Sequence, residues 1–144
     1  MLIGRGFRTN TNGAEQVKDI LNSIGVKCYI FDLPFYLGRN ACLHLMSLIS
    51  MVDTKSALVF KPLLPVGLWK ILIEKNINII SAPQREFYQS DTLSTNVLAL
   101  APGECLMLNN LPETEKVLRN ANVKVTTFHC LLYTSDAADD TCCV

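Results

Sequence analysis

Asn96-Val97-Leu98-Ala99-Leu100-Ala101-Pro102-Gly103-Glu104-Cys105-Leu106-Met107-Leu108, followed by the Pro112 to Ala121 segment and by Asn122-Val123-Lys124-Val125-Thr126, is the stretch that decides how this chain folds. Two short apolar runs, Asn96 to Ala101 and Cys105 to Leu108, flank Pro102-Gly103-Glu104, which has the chemistry of a hairpin turn. Pro112 suits the first turn of a helix, and Val117, Leu118 and Ala121 fall on one stripe at helical spacing. Asn122 tolerates the left-handed conformation that stops a helix, and an alternating strand follows at once. The unit is therefore strand, strand, helix, strand.

The same unit occupies the middle of the chain. Strands are expected over Leu45 to Val52 and Ser56 to Phe60 around the turn Asp53-Thr54-Lys55, then a helix carrying Leu68, Ile71 and Leu72, a stop at Asn76 and a strand through Ile80. Its later part appears once more within Leu2 to Phe31. There Asn12 stands where an N-cap would, Val17, Ile20, Leu21 and Ile24 form the helical stripe, Gly25 is the stop, and Val26 to Tyr29 alternates. A recurrence of roughly 50 residues belongs with propellers and arrays rather than with an open doubly wound sheet. The expected class is α/β, built from about three modules.

The end of the chain, Cys130-Leu131-Leu132-Tyr133-Thr134-Ser135-Asp136-Ala137-Ala138-Asp139-Asp140 and on to Val144, has no such pattern. It matches the translation of a transposase-type sequencing adapter followed by a variable index, so residues 130-144 are expected to be a non-native tail and residues 1-129 the natural domain. Setting the tail aside removes Asp136, Asp139 and Asp140, so ten acids face thirteen Lys and Arg and the net charge becomes +3. That is too mild to argue for nucleic acid or an anionic membrane as partner. It also removes Cys130, Cys142 and Cys143, leaving Cys28, Cys42 and Cys105 without zinc-like spacing. Sparse, odd cysteines suggest reduced thiols and a cytoplasmic setting. No apolar run reaches the roughly 18 residues of a membrane span.

Three segments, Gly4-Arg5-Gly6-Phe7-Arg8-Thr9-Asn10, Ala41-Cys42-Leu43-His44-Leu45-Met46-Ser47 continuing to Asp53, and Asn96 to Pro102, together resemble the bacterial amidinotransferase and dimethylarginine dimethylaminohydrolase family, relatives of arginine deiminase. The resemblance runs from Leu2 to about Phe128. It implies a pentein-type α/β propeller of five strand-strand-helix-strand modules with its active site along the central axis, of which this chain would hold about three. It also implies covalent cysteine chemistry at the guanidino carbon of arginine or a methylated arginine, with neither metal nor cofactor. Carboxylates hold the planar cation, a thiolate attacks its carbon, a histidine moves the proton to the leaving amine, and an arginine anchors the substrate's carboxylate. The adduct then goes to water in a hydrolase or to an amine in a transferase.

His44, in its Leu-His-Leu-x-Ser setting, matches the family's catalytic histidine; without the resemblance it would be taken for a core histidine hydrogen-bonded within a strand. Arg8, in Arg8-Thr9-Asn10, matches the arginine that binds the substrate's α-carboxylate, and is otherwise a solvated loop residue. Arg5 matches less well. Cys42 would share a strand face with His44 but does not occupy the nucleophile's place, and it is expected to be a small buried thiol, like Cys28 and Cys105 within apolar strands. Cys142-Cys143 after Thr141 imitates the family's catalytic ending only by accident if the tail is adapter. Asp32 and Asp53 are expected to be solvated turn or strand-end acids. Trp69, Phe87 and Tyr88 make no platform for stacking bases.

The resemblance thus places the acidic modules before Leu2 and the nucleophile beyond Phe128, so this polypeptide is expected to be an inactive piece of an enzyme that takes a small guanidino substrate. Its oligomeric state is open, and its exposed strand edges and inter-module faces predict poor solubility. The alternative is a non-catalytic binding module on the same propeller fold, as in the ribosome anti-association factors; an enzyme requires the paired acids and the cysteine. A small regulatory α/β domain is disfavoured by the strand-pair repeats.

Overall fold

The computed structural model describes residues 1–41 and 43–129, so Cys42 and the segment 130–144 lie outside the described residues. Within them the repeat is physical. In the middle unit β3 (Ile49–Asp53) and β4 (Ser56–Val59) form an antiparallel hairpin, α2 (Val66–Glu74) crosses over, and β5 (Asn78–Ser81) returns parallel to β4. The last unit repeats this with β6 (Leu98–Ala101), β7 (Glu104–Leu108), α4 (Pro112–Asn120) and β8 (Lys124–Phe128). The first holds only the later part, β1 (Leu2–Arg5), α1 (Thr11–Ser23) and β2 (Tyr29–Asp32), with the two strands parallel. Each unit keeps its own small sheet, ordered β1-β2, β3-β4-β5 and β6-β7-β8. Even the irregularity recurs, for the register shifts between Met51 and Asp53 in one hairpin and between Ala99 and Ala101 in the other.

The three predicted helix stops share one hydrogen-bonding solution. Gly25, Asn76 and Asn122 take φ of 82°, 53° and 61°. The residue after each folds its N–H back onto the carbonyl five earlier, Val26 to Leu21, Ile77 to Leu72 and Val123 to Leu118, at 2.9, 2.9 and 3.1 Å. This is the Schellman cap, in which a left-handed residue lets the chain satisfy orphan carbonyls and turn straight into a strand.

Packing explains why the run from Ala57 in β4 to Phe60 just beyond it is apolar throughout. Leu58 and Phe60 join Leu48, Val52, Phe87, Met107, Leu118 and Val125 in a core shared with the last unit. Ala57 and Val59 point the other way, joining Phe31, Ile49, Leu68 and Leu72 in a core shared with the first. A strand buried on both faces loses the alternation of a half-exposed one. Phe87 stacks on Phe60, with the Tyr88 ring edge-on to both.

Several expectations are corrected. The strand expected from Leu45 begins only at Ile49, because Leu45–Ser47 closes a 3₁₀ turn in which Ser47 N–H donates to the His44 carbonyl at 3.0 Å and Leu48 N–H to that of Leu45 at 2.9 Å. The cap of α1 is Asn10 rather than Asn12, its side chain accepting from Gly13 N–H at 2.8 Å. Cys28 precedes β2 instead of lying in it. A short helix, α3 (Gln84–Gln89), was not legible between the units. The α1 stripe exists but stays uncovered: Ile20 and Ile24 are 65% and 69% exposed and only Ala14 of the helix is buried.

Candidate functional site

Arg8 owes its position to a turn placed directly after β1. Gly6 N–H donates to the Thr9 carbonyl at 3.3 Å and the two residues form an isolated antiparallel bridge, which puts Phe7 and Arg8 at the exposed tip before Asn10 starts α1. The Phe7 ring meets Phe35 edge-on, 6.0 Å between centroids. His44 stands in extended backbone, φ −103° and ψ 160°, at the residue that enters the Leu45–Ser47 turn, and it is exposed rather than within a strand. The picture of a core histidine in a sheet therefore does not hold.

The chain brings the two segments together through missing side chains. A β-carbon at Gly4 would lie 2.9 Å from Leu45 Cβ, and one at Gly6 would lie 3.9 Å from the Leu43 carbonyl oxygen. The exit of β1, which leads to Arg8, thus packs against the residues on either side of His44. Only glycine allows this approach at Gly4, since real β-carbons do not come so close.

Arg5 is committed elsewhere. Its Nε and one terminal nitrogen reach the two Asp32 oxygens at 2.5 and 2.8 Å, and the other lies 3.3 Å from Thr11 Oγ1. The bidentate hydrogen bonds, with the Coulombic attraction, raise the Arg5 pKa and hold that of Asp32 below its ordinary value. Asp32 is therefore a guanidinium ligand after all, but of its own chain. Asp53 behaves as the turn acid expected, accepting from Thr54 N–H at 2.6 Å.

The residues that hold the His44 turn were not singled out from the sequence. Thr95, fully buried, donates its hydroxyl proton to the Ser47 carbonyl, and Ser50 Oγ donates to the Thr95 carbonyl at 2.6 Å. The one available signal was the repeat itself: Thr95 closes the 3₁₀ turn Leu93–Thr95 ahead of β6 as Ser47 closes Leu45–Ser47 ahead of β3.

Other groups fall outside this arrangement. Cys105 is buried, and burial pushes its thiol pKa up, away from nucleophilic use. Cys28 is half-buried with its sulfur 3.5 Å from the Val26 carbonyl. Cys42 and the Cys142-Cys143 pair lie outside the described residues. Among the described residues no three His, Cys, Asp or Glu side chains gather as a metal site, and no helix is long and apolar enough to cross a membrane. A cleft of about 360 Å³ beside the start of α4, lined in part by Arg85, Gln89, Asn109 and Asn110, includes neither His44 nor Arg8.

No family model matches the chain. No curated protein matches it either. Solved structures do. DDAH from Pseudomonas aeruginosa, a mutant complexed with citrulline, is 21% identical, with a TM-score of 0.67 over 89% of this chain and 44% of its own. SxtG, an amidinotransferase of the saxitoxin biosynthetic pathway in Microseira wollei, is 20% identical, with a TM-score of 0.73 over 89% of this chain and 38% of its own. The N-terminal domain of ArgZ, a cyanobacterial arginine dihydrolase, is 15% identical, with a TM-score of 0.66 over 89% and 44%. The chain thus shares the α/β fold of these proteins and spans less than half the length of each. They belong to the group of enzymes that the sequence resembles.

Proposed function

We propose that this chain is part of an enzyme acting on the guanidino carbon of arginine or a methylated arginine, with His44 as general acid and base and Arg8 as the anchor for the substrate's carboxylate. Its three units are then about three of the five modules of a pentein-type propeller. The observation that supports the reading is the contact between the β1 exit and the residues flanking His44, which brings the chain segment leading to Arg8 against the segment that carries the histidine. That arrangement belongs to a fold shared with a hydrolase, an amidinotransferase and a dihydrolase of guanidino compounds.

The chemistry follows from those groups. A cysteine thiolate adds to the guanidino carbon, His44 gives its proton to the departing amine, and the carbon-nitrogen bond breaks to leave a thiouronium on sulfur. His44 then takes a proton from the incoming water or amine as it attacks, and the carbon-sulfur bond breaks to return the thiolate. The cysteine, and the acids that hold the guanidinium, are expected in parts of the protein outside residues 1-129. The 144-residue polypeptide is then inactive alone, and the setting we propose is the cytoplasm.

The test is to read the gene outward from both ends of the Leu2 to Phe128 coding segment. Acidic modules before Leu2 and a Gly-rich Cys-Leu-Thr segment after Phe128 are expected. In the complete enzyme His44→Ala should then lower kcat about 10²- to 10⁴-fold, and Arg8→Ala should act chiefly on KM. A coding sequence that runs through Tyr133 to Val144 and stops would favour a non-catalytic binding module instead.

A further inference from the structure

We propose that Thr95 is a positioning residue for His44, acting across two modules through the carbonyl of Ser47. His44 sits at the entrance of the Leu45–Ser47 turn, its carbonyl accepting the Ser47 N–H at 3.0 Å, so its backbone goes where that turn goes. The Ser47 carbonyl in turn receives the Thr95 hydroxyl, a contact spanning 48 residues of sequence. The Thr92 carbonyl lies 3.0 Å from the same hydroxyl, so two carbonyls face one donor, and Ser47 is the one that belongs to the His44 turn.

Thr95 is itself held. Ser50 Oγ, on the strand that follows the His44 turn, donates to the Thr95 carbonyl at 2.6 Å and lies 3.4 Å from Val97 N. Ser50 and Thr95 are both buried, so these bonds form away from competing water, where a polar group without its partner is costly. The repeat makes the arrangement intelligible. Two equivalent turns, each closed by a hydroxyl residue, precede β3 and β6, and the hydroxyl of the later turn locks the earlier one. The residue entering the later turn is Thr92, with φ of 72°, and the residue entering the earlier one is His44. The locked turn is thus the one that carries the imidazole.

That Thr95 serves catalysis rests on the guanidino-enzyme reading; that it sets the imidazole does not, and the experiment addresses the second point. The ring resonances of His44 and His129, the two histidines of the chain, are followed by NMR in the full 144-residue protein with Thr95→Val and Thr95→Ser. Val keeps the shape and removes the hydroxyl, whereas Ser keeps the hydroxyl. We expect Thr95→Val to move the His44 ring resonances and to speed exchange of the Ser47 amide about tenfold, and Thr95→Ser to restore both. His129, beside Asn109 at 2.7 Å, should stay in place throughout. Should Thr95→Val fail to fold, Ser50→Ala, which removes the side-chain donor to the Thr95 carbonyl, leaves that carbonyl only the Val97 N–H at 3.0 Å and spares the Thr95 hydroxyl, should displace the same His44 signals. Unmoved His44 resonances in a folded Thr95→Val or Ser50→Ala protein, or a displacement that Thr95→Ser leaves in place, would overturn the proposal. Gene sequence lacking a catalytic cysteine would sink the guanidino reading while leaving this result as it is.

Discussion

Replacing Glu86 by glutamine should cost the protein about 2–3 kcal/mol, because one buried carboxylate caps a helix that it does not belong to. Helix α4 begins at Pro112, which has no N–H, and Leu111 before it offers no side-chain acceptor. The first donors needing partners are therefore Glu113 and Thr114. Glu86, only 5% exposed on α3, takes both: Oε1 accepts from Glu113 N–H and Oε2 from Thr114 N–H and the Thr114 hydroxyl, each at 2.7 Å. Bonds to a charged acceptor contribute roughly 1.5–3 kcal/mol apiece, and the carboxylate also favours the positive end of the helix. Glutamine keeps one oxygen and turns an NH₂ toward a donor, so at least one full bond is lost and another weakened. With a urea dependence of roughly 1.5 kcal/mol per M, the unfolding midpoint of Glu86→Gln should fall by about 1–2 M. Thr114→Val, which removes only the hydroxyl, should cost about 1 kcal/mol, and less than that when made on top of Glu86→Gln, because the two share a bond. A Glu86→Gln midpoint within about 0.3 M of the parent would refute the capping argument.

Two further outcomes follow from the first unit. Gly4→Ala places a β-carbon 2.9 Å from the backbone-anchored Leu45 Cβ, so thermal melts should show a loss of about 1–3 kcal/mol, whereas Gly67→Ala, whose β-carbon meets the Phe31 ring at an ordinary 3.5 Å, should be neutral or stabilising; equal melting of Gly4→Ala and parent would contradict the close approach. Asp32 has its pKa lowered in the fold by Arg5, so the stability it confers is present above its unfolded pKa, near 4, and is lost as pH falls through the lower folded value. Urea midpoints of parent and Asp32→Asn should therefore differ near neutrality and converge in acid, and a difference that persists in acid would show that the pair acts through something other than charge.

How much of the molecule was legible in the sequence differs by level. The modules were, because Gly25, Asn76 and Asn122 each lie where the chain must leave a helix with positive φ, and the Pro102-Gly103 and Thr54-Lys55 turns separate runs too short for anything but hairpins. Local backbone chemistry of that kind depends on a few neighbouring residues. The candidate site was legible as two positions, His44 and Arg8, but the contact between the segments that carry them was not. It required Gly4 to touch Leu45, about forty residues away, and no pattern in either segment announces that contact.

Long-range partnership decided the rest. Arg5 and Asp32 became a bidentate pair because β1 and β2 align in parallel with those two residues opposite each other. Glu86 would pass for a solvated helical acid until α4 is laid against it, and Thr95 for an ordinary threonine until the preceding module offers the Ser47 carbonyl. The α1 stripe shows the converse, an amphipathic pattern that forms its helix without gaining a cover among the described residues. The sequence by itself determined where helices stop and where hairpins turn, and it named candidates for chemistry, since those depend on φ preferences and side-chain type within a few residues. Only the tertiary structure decided which polar groups lose their water and which distant partner replaces it, because desolvation is a property of everything packed around a group.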